Sequence, residues 1–88
     1  MRPEWPYRFP PNRRAEASTL REQALKCAEE AGEVLQAVDG GEPAARVAEE
    51  AWDCIQACEG VLRKLPRNVV VSALAKTKVK CWRRKDYA

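Results

Sequence analysis

The chain contains no histidine, no Cys-x-x-Cys pair and no long apolar run, and each absence removes a class of protein. Without histidine, and with its cysteines scattered at Cys27, Cys54, Cys58 and Cys81, it lacks the paired ligand spacing of a zinc site. Cys27, Cys54 and Cys58 fall instead at apolar positions of helical patterns, where a free thiol behaves as a small hydrophobe. No signal peptide and no span of transmembrane length is present, so a soluble, reduced, cytoplasmic protein is expected. There is no internal repeat and no low-complexity tract. Length is short as well: 88 residues make one domain, and a chain of this size buries only about two-thirds of its unfolded surface. Wide apolar helix faces on so small a core predict that a second subunit covers part of them.

What is present is helical. Residues 1–17 hold four prolines with Trp5, Tyr7 and Phe9 among them. They read as an extended arm whose rings pack over a groove of the same domain or of a partner, a reading preferred to a role in stacking a base. Residues 18–88 read as a single all-α domain. Thr19-Leu20-Arg21-Glu22 has the form of a capping box, with helical turns allowed from about Arg14. Leu20, Ala24, Cys27, Ala28, Ala31, Val34, Leu35 and Val38 then recur at steps of three and four, and Asp39-Gly40-Gly41 stops the pattern. A second helix is predicted from Pro43 to Leu65, with a stripe of Ala44, Val47, Ala48, Ala51, Cys54, Ile55, Cys58, Val61, Leu62 and Leu65. After Pro66, Asn68 is placed to cap a third helix from Val69 to about Lys85, with Val71, Leu74, Ala75, Val79 and Trp82 inward. The expected fold is an antiparallel helical hairpin plus a third helix, completing a helical bundle by oligomerisation.

Two acidic clusters interrupt the stripes: Glu29-Glu30-Ala31-Gly32-Glu33 and Glu49-Glu50-Ala51-Trp52-Asp53. Residues three apart on a helix are surface neighbours, so Glu30 and Glu33 share one face, as do Glu50 and Asp53. Both pairs flank an apolar stripe residue, so they border the core instead of facing water. Counted from the Asp39–Glu42 link at about 1.5 Å per residue, the clusters lie at similar depths on the two helices. Four carboxylates brought together repel and raise one another's pKa values unless a cation compensates. Hard divalent cations such as magnesium or manganese prefer such oxygen ligands. The formal net charge is +3, and the basic excess sits at the other end, in Lys76, Lys78, Lys80, Arg83, Arg84 and Lys85. That run is a solvated helix face or a contact for phosphate.

The run from Glu29 to Ala37, followed by Glu49-Glu50-Ala51-Trp52-Asp53, resembles the paired Glu-x-x-Glu and Glu-x-x-Asp motifs of the all-α nucleoside triphosphate pyrophosphohydrolases, the MazG-like and dimeric dUTPase superfamily. The resemblance covers roughly residues 20–65, with a weaker echo from Lys78 to Tyr87. It implies Glu30, Glu33, Glu50 and Asp53 as ligands of Mg2+, with Mn2+ as a substitute, and Glu29 as the first glutamate of the family's Glu-Glu pair. It implies a nucleoside triphosphate as substrate, cleaved to the monophosphate and pyrophosphate, and a homodimer or tetramer as the working form. Glu30 or Glu33 would accept the proton of the attacking water, and Lys80, Arg83 and Arg84 would clamp phosphate oxygens. Cys81-Trp82 stands where many relatives carry a lysine and an asparagine. Trp82 then either stacks on the base or packs against a neighbouring subunit.

Two other readings compete. The bundle, with or without its metal, serves as a non-catalytic oligomer for binding or assembly. Alternatively the basic tail binds nucleic acid, a reading that ranks last because the acidic face repels a polyanion. Neither a nucleic acid nor a membrane is expected as a partner.

Overall fold

The structure is a computed structural model and describes residues 6–84. It is all-helical. Among these residues there are four helices and no strand: α1 (Arg13–Ala17), α2 (Leu20–Asp39), α3 (Ala44–Leu62) and α4 (Arg67–Arg83). No helix among them is long and apolar enough to cross a membrane. Trp5, Lys85 and Tyr87, which the sequence reading invoked, lie outside the described residues.

Local chemistry sets the boundaries. The side chain of Asn12 accepts from the amides of Arg14 at 2.9 Å and Ala15 at 3.2 Å, and this cap supports α1. The arm is therefore not extended to residue 17, because four residues without proline after a good N-cap are enough for one turn. The capping box of α2 is present: Thr19 Oγ1 accepts from the Glu22 amide at 3.0 Å and Glu22 Oε1 from the Thr19 amide at 2.7 Å. The Thr19 amide and hydroxyl hold the Glu22 carboxyl below its ordinary range. At the other end Gly41 takes φ +67°, the left-handed residue of a helix stop, while the Glu42 amide reaches back to Ala37 O at 3.0 Å.

Two boundaries differ from expectation. Past Leu62, the amides of Lys64 and Leu65 bond three residues back, so α3 tightens into turns before Pro66. Asn68 does not cap α4. Pro66 O already accepts from Val69 and Val70, so the helix is under way at Arg67 and Asn68 sits inside its first turn.

α2 and α3 pack along each other, α1 packs on α3, and α4 makes little contact with the other helices. The α2 face that meets α3 is Gln23, Cys27, Glu30, Val34 and Ala37, at steps of four and three. This corrects the predicted stripe. Ala24, Ala28, Ala31, Leu35 and Val38 stand beside that face and are exposed, Leu35 at 61%. On α3 the inward positions include Val47, Glu50, Cys54 and Ala57, while Ala44, Ala48, Ile55 and Cys58 are exposed. On α4, Val70 is buried and Val71 and Leu74 are half-buried, but Ala75, Val79 and Trp82 point outward. The apolar faces are wider than one neighbouring helix can cover, so each helix buries only one edge of its stripe. The buried apolar residues among those described are Ala37, Ala57 and Val70, and no large side chain is fully enclosed.

Candidate metal centre

The two helices bring the acidic clusters together. One carboxylate oxygen each from Glu30, Glu50 and Asp53 lies within 4.8 Å of the other two. Glu30 and Glu50 are buried and Asp53 is exposed at the rim. Both buried residues come from the helix–helix face itself, so a Glu30–Glu50 contact follows directly from which edges of α2 and α3 meet. Glu33, one turn on from Glu30, is exposed and lies close enough to Glu30 and Glu50 for both to raise its pKa. All four predicted carboxylates therefore meet, three as a tight cluster and Glu33 beside it. Glu29 and Glu49 point to solvent.

Each buried carboxylate has a cation four residues before it. Lys26 Nζ is 2.9 Å from Glu30 Oε1, and Arg46 is 2.7 Å from Glu50 Oε1 and 3.4 Å from Glu49. Both cations are more than half exposed, so they offset the charge from the wet side only. Glu50 Oε2 is buried and has no hydrogen-bond partner among the described residues. An ionised oxygen in that condition is costly, and the neighbouring carboxylates of the cluster are acceptors that cannot donate to it unless protonated.

The electrostatics of the pair Glu30 and Glu33 split. The hydrogen bond from Lys26 holds the Glu30 carboxyl low, against the effect of burial, and the same contact holds the Lys26 ammonium high. Glu33 is pushed above the ordinary carboxylate range, first by the hydrogen bond it shares with Glu30 and next by the charge of Glu30. The folded form thus keeps the Glu33 proton to a higher pH than the unfolded chain does. Its contribution to stability is present at low pH and lost as pH rises through the raised pKa, whereas that of Glu30 is present above its unfolded pKa and lost as pH falls. Glu33→Gln is therefore expected to raise the melting temperature of the cation-free protein at about pH 7 and to leave it unchanged at about pH 4. Thermal denaturation at both pH values checks this; an equal shift at the two would mean that Glu33 does not share a proton in the fold.

An open cleft of about 1290 Å³ runs past the cluster. Lys26, Glu30 and Asp53 line one part of it, and Tyr7, Phe9 and Pro10 of the arm another. Lys80, Trp82, Arg83 and Arg84 do not line it. Lys80 and Arg83 line a separate shallow groove with Ala75 and Val79, and Trp82 is 76% exposed. Arg84, the last described residue, is exposed too. Within one chain the carboxylates and this basic set stay apart.

The thiols are not ligands of this centre. Burial, with help from Cys58 and Cys54, pushes Cys27 up to about 11, and burial also raises Cys54. Neither is a thiolate at neutral pH. Cys27 and Cys54 are half-buried as small apolar residues, but Cys58 is exposed, contrary to its place in the predicted stripe.

Several structural contributors were missed in the sequence. Lys26 and Arg46 occupy equivalent positions before Glu30 and Glu50, and the i, i+4 spacing was available as a signal. Gly60, alone inside an apolar helical pattern, marked a close approach: Gln23 crosses there and donates through Nε2 to Ala57 O at 3.0 Å. Glu59 carries no local signal, because its partners are backbone amides fifty residues away.

No family model, no curated protein and no solved structure matches the chain.

Proposed function

We propose that the chain is a magnesium-dependent nucleoside triphosphate pyrophosphohydrolase of the MazG-like kind, acting as a homo-oligomer in which α2 and α3 form an antiparallel hairpin. One observation carries the reading: Glu50 Oε2, buried and unpartnered, belongs to three carboxylates whose oxygens lie within 4.8 Å of one another. A cluster of oxygen donors with an orphaned anionic atom fits a hard divalent cation such as Mg2+ or Mn2+, which needs several oxygens and no nitrogen or sulfur. The hairpin is supported by the contacts, which join Gln23 to Ala57 and Glu30 to Glu50 and Asp53.

In this reading Glu30, Glu50, Asp53 and Glu33 hold the cation. When bound, it would neutralise the triphosphate and lower the pKa of a coordinated water. Glu33, with its raised pKa and open position, is the better of the two proton acceptors named from the sequence, because a general base works best when its pKa approaches the working pH. Lys26 lines the cleft beside Glu30, so its ammonium can exchange the carboxylate for a phosphate oxygen. Lys80, Arg83, Arg84 and Trp82 reach the substrate from a second copy, whose docking would also cover Leu35, Val38, Ile55 and the other exposed apolar residues of the hairpin.

One observation favours the alternative of a non-catalytic assembly module: the basic residues of α4 and the acidic cluster lie in separate grooves of the chain. A thermal melt with and without Mg2+ or Mn2+, repeated with a panel of nucleoside triphosphates and followed by assay of released pyrophosphate, separates the two. Enzyme and metal site predict a cation-dependent rise in melting temperature together with pyrophosphate release. A rise without release supports the module, and no rise with any cation overturns the metal site.

A further inference from the structure

The described part of the arm is bound to α3 by groups that hold its backbone. Glu59 is buried, and its carboxylate accepts from the Arg8 amide at 2.9 and 3.0 Å and from the Phe9 amide at 3.0 Å. One turn on, Arg63 donates to Phe9 O at 2.7 Å and lies 4.1 Å from the centre of the Tyr7 ring. Lys64 Nζ donates to Glu16 O at 3.3 Å and also to Ser18 O. Phe9 meets Trp52 edge-on at 6.2 Å, and the Arg8 guanidinium stands 5.7 Å from the same indole. Hydrogen bonds to an ionised acceptor are roughly twice as strong as neutral ones, so the buried Glu59 charge is committed to one task, fixing residues 8 and 9.

Those residues occupy a particular place. Tyr7, Phe9 and Pro10 wall the cleft that holds Glu30 and Asp53, and Trp52, on which Phe9 rests, immediately precedes Asp53. The cleft therefore has an acidic part suited to a cation with its phosphates, and an aromatic part built by the arm. A nucleoside triphosphate is divided in the same way, into a polyanion and a flat ring system. Ring faces stack on aromatic side chains with little regard to base identity.

The geometry points to the arm as the part of the site that receives the nucleoside, with Glu59 as the positioning residue that fixes it. This rests on the nucleotide-hydrolase reading and deepens it: the phosphates go to the carboxylates and the base to the wall of Tyr7 and Phe9. Base preference is then set by stacking and is broad.

Binding of Mn2+, of inorganic triphosphate with Mn2+, and of the common nucleoside triphosphates with Mn2+ is to be measured by calorimetry on the full chain and on Glu59→Gln and Arg8→Pro. Glu59→Gln removes the charge and one acceptor, while Arg8→Pro removes the amide that makes two of the three bonds without touching a helix. Melting temperature and helical circular dichroism report the fold of each. Both variants are expected to bind nucleoside triphosphates about tenfold more weakly while Mn2+ and inorganic triphosphate bind as before, and trypsin should cleave faster at Arg13 and Arg14. Equal losses for inorganic and nucleoside triphosphates, or unchanged nucleotide affinity with a released arm, overturn the assignment. A native chain that binds Mn2+ and inorganic triphosphate, but binds nucleotides no better than inorganic triphosphate, overturns it and leaves the metal centre standing. A native chain that binds none of them overturns both.

Discussion

Replacing Glu50 by glutamine is expected to abolish the rise in melting temperature produced by Mg2+ or Mn2+ and to lower pyrophosphate release by at least ~100-fold. Glu50 is the deepest of the three clustered carboxylates, with one oxygen on Arg46 at 2.7 Å and the other buried without a partner. The unpartnered oxygen is the one a cation would take. Glutamine keeps the volume and a carbonyl for Arg46 but cannot offer a second anionic oxygen. The cation-free fold should therefore change by only about 1 kcal/mol, since removing a buried charge offsets a weaker bond to Arg46. A cation at a hundred times its dissociation constant adds about 2.7 kcal/mol to the native state, roughly 10–20 °C for a domain of this size. That whole increment should disappear in the variant. A cation-induced rise that survives in Glu50→Gln would exclude these carboxylates as its source.

Gly60→Ala should cost about 2 kcal/mol, against the usual sign for an exposed helix position, where alanine gains nearly 1 kcal/mol over glycine. A Cβ at residue 60 would overlap Gln23 Nε2 and stand 2.9 Å from its Cδ and 3.3 Å from its Cγ. The clash is with the body of a buried side chain and not only with its tip. Gln23 is held at both ends: Nε2 donates to Ala57 O at 3.0 Å, and Oε1 accepts from Ser18 Oγ at 3.3 Å. To make room it must abandon both bonds while still enclosed, which leaves buried amide atoms unpaired. Denaturant unfolding checks the magnitude. Combining Gly60→Ala with Gln23→Ala should recover most of the loss, because the clash and the stranded amide vanish together; simple additivity of the two substitutions would show that they do not meet.

The helices were legible because helix signals are local. The Thr19–Glu22 box, the Gly40-Gly41 stop and Pro66 each act within four residues of where they stand, and each falls at or next to an observed helix end. The carboxylate cluster was legible for the same reason doubled: i, i+3 spacing fixes each pair on its own helix, and a short link fixes their depth. The facing edges were less so. The apolar stripes of α2 and α3 span more than one helix-width, and periodicity alone does not say which edge meets the neighbour. The observed choice turns Gln23, Glu30 and Glu50 inward and leaves Ala31, Leu35 and Ile55 outside. Gln23 inside that seam was invisible, because the carbonyl that accepts from it, Ala57 O, lies on the other helix.

From sequence alone come the all-α class, the approximate spans of α2, α3 and α4 and the two in-phase acidic pairs, all properties of residues within a few positions of one another. The tertiary structure alone decided that one oxygen of Glu50, Oε2, would be buried without a hydrogen-bond partner among the described residues, that Gly60 would admit Gln23, and that Glu59 would hold the arm against the cleft. Those contacts join residues 34 to 51 positions apart, and a separation of that size carries no periodic trace. It is set by how wide faces dock, where many near-equal apolar contacts compete and a few buried polar groups choose among them.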